Sequence, residues 1–165
     1  MALEIERRFL IQNDSWKGLI TKKIFIEQGY LSKSLDDWII RIRFTGKDFK
    51  IALKKHIKSF TNFEFEYPIP RRDGEKIMSN LSNIIKKERF FLKFEKKSWI
   101  VDCFKEKNYP LEIAEIELSN EEEDVSLPPF ISKEITGQKH YSNFSLAKKP
   151  FSEWKDDHQK TNRNY

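Results

Sequence analysis

Apolar and polar residues alternate along most of this 165-residue chain, the pattern of strands with one buried and one polar face. In the opening segment Glu4, Glu6 and Arg8 share one face while Leu3, Ile5 and Phe9 broadly share the other. The same parity sets Arg41 and Arg43 against Ile40, Ile42 and Phe44, and Lys54, with Lys50, against Ile51 and Leu53. Glu64 and Glu66 alternate with Phe63, Phe65 and Tyr67, and Lys87 and Arg89 with Phe90 and Leu92. Near the end, Glu115 and Glu117 alternate with Ala114, Ile116 and Leu118. Within each segment the charges are mostly of one sign, whereas a solvated surface mixes signs.

Pattern and punctuation together predict strands over 3–11, 24–31, 38–44, 49–54, 63–69, 85–94, 98–104 and 111–118. A short helix is expected over 16–19, a polar turn at 32–37, a hairpin turn at Thr45-Gly46-Lys47-Asp48 and a polar loop at 55–62. Pro70 ends a strand, and Asp73 is expected to cap a helix reaching about 83, with Ile77, Met78, Leu81 and Ile84 facing a core. The acidic run 120–124 reads as a solvated helix start, Pro128-Pro129 as a break, and 131–141 with 143–146 as a short helical cap. The polar stretch 152–165 reads as a frayed tail.

Eight strands in hairpin order with inserted helices predict a mainly β (α+β) fold, an eight-stranded antiparallel closed β-barrel formed by a single domain, 1–151. Closure sends the charged rows into the lumen and the apolar rows outward, beneath helices. That lumen collects Glu4, Glu6, Glu64, Glu66, Asp102, Glu115 and Glu117 with Arg8, Arg41, Arg43, Lys54, Lys87 and Arg89. Stripping water from unpaired ions costs several kcal/mol each, so such a lumen stays wet or holds something that neutralises both signs. A polyphosphate with divalent cations does so, since carboxylates suit Mg2+ or Mn2+ and Arg and Lys suit phosphoryl oxygens.

Composition narrows the classes further. A 38% hydrophobic fraction with 14 Phe is globular despite 35% charged residues, and the net charge of +5 suits an anionic partner. One cysteine, Cys103, excludes an internal disulfide, fits a reducing compartment and, with no His beside it, reads as a buried structural thiol. The absence of a long apolar run or signal peptide leads to the expectation of a cytoplasmic protein without a membrane partner.

The ordered series of motifs resembles the CYTH, or triphosphate tunnel metalloenzyme, family. Its N-terminal Glu-x-Glu-x-Lys is matched by Glu4-Ile5-Glu6-Arg7-Arg8, with Arg in the Lys position. The likeness continues through Gln28-Gly29-Tyr30-Leu31, Arg41-Ile42-Arg43, Glu64-Phe65-Glu66-Tyr67, Lys87-Glu88-Arg89, Trp99-Ile100-Val101-Asp102, Ala114-Glu115-Ile116-Glu117-Leu118, and Thr136-Gly137 with Tyr141 and Asn143. The resemblance implies an antiparallel tunnel that hydrolyses triphosphates with Mg2+ or Mn2+, most simply inorganic tripolyphosphate, because so short a chain leaves little to read a base or sugar. It implies Glu4, Glu6, Glu115 and Glu117 as metal ligands and, with Lys87, as catalytic residues, and Glu64, Glu66 and Asp102 in supporting or second-metal roles. It implies Arg8, Arg41, Arg43, Lys54, Lys87 and Arg89 as the phosphate clamp.

Two positions depart from the family pattern. Ile100 stands where a carboxylate is expected before Val-Asp, and His140 where an Arg is expected in the cap. His140 alternatively reads as an exposed polar residue, and His56 and His158 as loop and tail residues. Competing functions on the same fold are a class IV type adenylate cyclase, a thiamine triphosphatase and a non-catalytic barrel binding polyphosphate or RNA. The expected partner is a small triphosphate rather than nucleic acid, and the expected state a monomer or homodimer. Crowding of Glu4, Glu6, Glu115 and Glu117 should raise at least one carboxylate pKa, and Glu6→Gln should relieve that repulsion.

Overall fold

A computed structural model gives the structure of the chain over residues 3–154. Its strands are β1 (Leu3–Ile11), β2 (Ile20–Tyr30), β3 (Ile39–Phe44), β4 (Phe49–Lys58), β5 (Thr61–Ile69), β6 (Ile84–Phe94), β7 (Lys97–Phe104), β8 (Glu112–Glu117) and β9 (Ile131–Glu134). Two short helices, α1 (Arg71–Met78) and α2 (Asn143–Lys148), accompany 3-10 turns at Asp14–Leu19, Glu106–Asn108, Lys139–Tyr141 and Phe151–Glu153. The strands pair antiparallel in the order β5-β4-β3-β2-β6-β7-β8-β1, and β1 pairs back onto β5 to close the barrel. The ninth strand, β9, lies beside the C-terminal half of β1.

Register fixes which side chains share the inside. Arg8 faces Glu115 and Glu6 faces Glu117 across β1 and β8. Arg41 faces Ala52, which faces Glu66, and Lys54 faces Glu64. Arg89 faces Asp102 across β6 and β7. Directly opposed residues lie on the same face, so all these charges line one lumen, as their parity predicts.

The lumen is not charged along its whole length. Leu10, Ile85, Phe104 and Ile113 continue the inward rows into a buried cluster with Leu111, Ile135, Tyr141, Leu146, Phe151 and Trp154, which stoppers one end. These side chains are apolar on the inward face, so apolar rows do not all point outward. The outward rows of β1, β6, β7 and β8 bury Phe9, Trp99, Val101, Ala114 and Ile116 beneath Trp16 and the segment carrying Val125, Phe130 and Ile131. A 3-10 turn and a loop, more than helices, therefore cover the outside. The outer side of β5 stays open, with Phe63, Phe65 and Tyr67 exposed.

Several expected elements differ. Segment 55–62 is not a loop: polar on both faces, it extends the β4–β5 hairpin and turns at Ser59 with φ of 49°, so His56 lies on a strand. Helix α1 starts directly after Pro70, so Asp73 sits in its first turn rather than capping it, and the helix stops at Met78. Leu81 and Ile84 still reach the core by folding onto Gly29, where an added Cβ would stand 2.7 Å from Leu81 Cδ1 and 2.8 Å from Ile84 Cδ1. The acidic run 120–124 forms turns, and 131–134 is strand rather than helix because it pairs with the C-terminal part of β1, Ile131 with Ile11 and Glu134 with Phe9. Trp154 is buried in the stopper rather than frayed, while 155–165, including His158, lies outside the described residues. Cys103 is half-buried, and its thiol donates to Glu112 Oε1 at 3.5 Å; burial pushes its pKa up, which suits an inert thiol. Among the described residues no helix is long and apolar enough to cross a membrane.

Candidate active site in the tunnel

A cavity of about 590 Å³ opens along the charged part of the lumen, bounded by Glu4, Glu6, Arg41, Arg43, Glu64 and Glu115 among others. Its charges are engaged with one another in four groups. The Lys54 ammonium lies among three carboxylates: it contacts Glu4, stands 3.2 Å from Glu6 Oε1 and 3.7 Å from Glu64 Oε2. Glu66 meets Lys50 at 2.9 Å, Arg41 at 3.5 Å and Arg43 at 3.6 Å, and Arg41 also holds Glu64 at 3.0 Å. Glu115 accepts from Arg8 Nε at 3.0 Å and from Arg89 Nη2 at 3.2 Å. Asp102, wholly buried, accepts from Lys87 Nζ at 2.6 Å and from Arg89 Nε and Nη2 at 2.7 and 2.8 Å. Glu117 is exposed and has no ion-pair partner among the described residues.

Ionisation within these groups follows their partners. Burial, reinforced by Glu6, pushes Glu4 up to about 8 despite Lys54. Burial also opposes the charge on Glu6, but Lys54 and Arg8 prevail and hold it at about 2. The raised carboxyl expected among the acids is thus Glu4; Glu6→Gln removes the repulsion that Glu6 exerts on Glu4, but also the charge that Lys54 and Arg8 stabilise. Burial, with Arg41 and Arg89 adding to it, lowers Arg43 to about 10, a sign of clustered cations short of counter-charge. Burial lowers Lys87 to about 8 although Asp102 opposes the change.

Two cationic donors are buried without a hydrogen-bond partner, Arg8 Nη2 and Arg41 Nε, and so is one acid oxygen, Glu64 Oε2, which meets Lys54 only as an ion pair at 3.7 Å. Buried polar atoms are normally hydrogen-bonded, and orphans of both signs in one cavity fit a ligand that brings both anionic oxygens and a cation. Among the described residues no three acids converge to hold an ion by themselves. That suits a hard divalent cation held by one or two carboxylates together with the oxygens of an anionic ligand. The acid set therefore fits a divalent cation that enters with its anion.

Sequence parity located nearly all of these residues, Lys50 among them, but assigned no role to Gln28, Tyr30 and Asn143. Gln28 and Tyr30 point inward on β2: Gln28 Nε2 donates to Tyr30 Oη at 2.6 Å, and Arg43 Nε donates to Gln28 Oε1 at 3.3 Å. They stand directly across from Arg43 and Arg41 on the same inward face, and were readable as polar residues among apolar ones. Lys50 enters through Glu66. Asn143, from α2, lines the cavity beyond the barrel strands, where no strand parity marks it and only its place in the family-like motif series points to it. Ile100 is an apolar part of the wall, opposite Glu115. His140 is exposed, with its ring 5.1 Å from that of Trp154 at the stopper.

A closed antiparallel tunnel whose interior pairs carboxylates with guanidinium and ammonium groups defines the class: a charged-lumen tunnel protein. No family model matches the chain. It is 33% identical over 158 residues to a curated inorganic triphosphatase of Acetivibrio thermocellus, an alignment covering 94% of this chain and 100% of that one. A crystallised inorganic triphosphatase superposes with a TM-score of 0.66 at 27% identity, covering 89% of this chain and 95% of the other. A Hippeastrum protein, studied as an adenylyl cyclase and described as having a dominant triphosphatase activity, shares the fold at a TM-score of 0.54 and 13% identity, over 73% of this chain and 80% of its own. The chain belongs to the triphosphate tunnel metalloenzyme, or CYTH, family.

Proposed function

We propose that the protein hydrolyses triphosphates with a divalent cation, Mg2+ or Mn2+, and that inorganic tripolyphosphate is its substrate. The observation that carries this reading is the pair of orphaned guanidinium donors, Arg8 Nη2 and Arg41 Nε, inside a cavity already rich in cations. The activity named for the Acetivibrio relative, matched along nearly the whole chain, supports the same reaction.

In this reading Arg8, Arg41, Arg43, Lys54 and Arg89 clamp the phosphoryl oxygens, with Lys87 and Asp102 bracing Arg89 and the floor from behind. Fixed donors of this kind stabilise charge that develops on the phosphates without reorganising. Glu4, Glu6, Glu115 and Glu117 are the candidate ligands for the cation, with Glu64 and Glu66 at hand on β5. When bound, the cation supplies charge neutralisation on the phosphates and acidifies the attacking water.

The test is a substrate panel of tripolyphosphate, pyrophosphate, ATP and thiamine triphosphate, read by orthophosphate release and by nucleotide chromatography. Orthophosphate from tripolyphosphate at the highest kcat/KM, abolished by EDTA and restored by Mg2+ or Mn2+, is the expected result. A cyclic nucleotide from ATP, or tripolyphosphate binding without turnover, would overturn it.

A further inference from the structure

Among the described residues Asn143 is the one cavity-lining side chain that comes from the C-terminal cap, and its orientation is chemically fixed. Lys87 Nζ, fully buried, stands 3.0 Å from Asn143 Oδ1 and 2.6 Å from Asp102 Oδ2. An ammonium can only donate, so the carboxamide must turn its oxygen to Lys87. Its Nδ2 group, with two hydrogens, is the part left free, and it has no partner among the described residues.

The backbone holds this group firmly in place. Ser142 Oγ accepts from Ser145 N at 3.1 Å and fixes the start of α2. Just ahead of it, the Tyr141 carbonyl accepts from Arg8 Nη1 at 3.2 Å, and Thr136 Oγ1 accepts from Arg8 N at 3.0 Å. The cap is thus tied to the same strand that supplies Glu4, Glu6 and Arg8.

We infer that Asn143 is a substrate-contacting residue, donating from Nδ2 to a phosphoryl oxygen of the innermost phosphate, and that Lys87 acts through it as a positioning residue. The inference rests on the triphosphatase reading above and adds a neutral donor at the stoppered end of the tunnel. A neutral donor suits the deepest phosphate, because it accepts an oxygen without another buried charge beside Arg89.

Substituting Asn143 by Asp separates the two roles. Asp keeps an oxygen for Lys87, so a residue that merely anchors that ammonium would leave binding unchanged and the melting temperature the same or higher. A donor lost and replaced by an anion should weaken binding of a hydrolysis-resistant imido analogue of tripolyphosphate in the presence of Mn2+, measured by titration calorimetry, by about a hundredfold. Asn143→Ser, whose hydroxyl both accepts and donates without charge, should retain affinity to within about fivefold, which separates donor loss from misfolding. Affinity of Asn143→Asp within about threefold of wild type would overturn the inference, whether or not wild type turns over. Absence of any binding of the analogue by wild type with Mn2+ present would overturn the underlying reading as well.

Discussion

Glu4 and Glu6 lie two residues apart on one face of one strand, yet their surroundings drive their ionisation in opposite directions. Glu4, desolvated beside Glu6, titrates at about 8, far above its ordinary 4.5, whereas Glu6 is held at about 2 by Lys54 and Arg8. For Glu4 the folded protein keeps a proton that the unfolded chain has released, so between pH 4.5 and 8 it makes stability fall as pH rises. Glu4→Gln should therefore melt with metal-free wild type near pH 4.5 and above it by pH 8, by about 5 °C or more. Glu6 has the opposite sign: its stability contribution is present above its unfolded pKa and disappears only in strong acid, so Glu6→Gln should melt lower at neutral pH. Scanning calorimetry in EDTA at three pH values checks both, and a pH-independent gap for Glu4→Gln would reject the assignment. Both acids were legible in the alternation of the first nine residues. The split between them was not, because Lys54, from β4, reaches them only through barrel closure and register.

Elements were legible where parity was sustained and obscure where it was brief or mixed. The floor of the tunnel was written in the chain: Leu10 follows Arg8, Ile85 precedes Lys87, Phe104 follows Asp102 and Ile113 precedes Glu115, each on the inward parity. Reading charged rows alone hid the point at which each becomes apolar. Strand β9 has only four residues, too few for alternation to stand out, and the β4–β5 tip is polar on both faces. Helix α1 carried a clear apolar spacing, but its docking depends on a residue with no side chain. A Cβ on Gly74 would lie 2.2 Å from Phe49 Cγ, and Phe49 is itself stacked on Phe44 at 4.7 Å, so it has little room to yield. Gly74→Ala should therefore cost about 1–3 kcal/mol in spite of the better helix propensity of Ala. The melting temperature should drop by several degrees while kcat/KM at 20 °C stays within about twofold, since Phe49 faces away from the tunnel. A stabilised variant would show that α1 is not held at that distance.

Across the whole molecule, the tunnel is a balanced set of charges rather than a simple cationic hole. Lys54 serves Glu4, Glu6 and Glu64; Arg41, Arg43 and Lys50 serve Glu66; Arg8 and Arg89 serve Glu115; Lys87 and Arg89 serve Asp102. A polyanion entering alone would take cations from these acids and leave buried carboxylates uncompensated. A divalent cation entering alone would do the converse to Lys54 and Arg8. Either exchange strands a buried charge, which is costly, whereas the two ligands together swap partners with every charge still opposed. Binding of metal and triphosphate should therefore be strongly coupled, with each raising the affinity for the other by the same factor. Using Mn2+ and a hydrolysis-resistant imido analogue of tripolyphosphate, each ligand alone should shift the melting temperature little. Together they should exceed the sum of the separate shifts by about 3–10 °C, the range for a coupling of about 1–3 kcal/mol in a chain of this size. Additive shifts would mean that one of the two sites is complete before the other ligand arrives, and the balanced-charge account of the tunnel would fail.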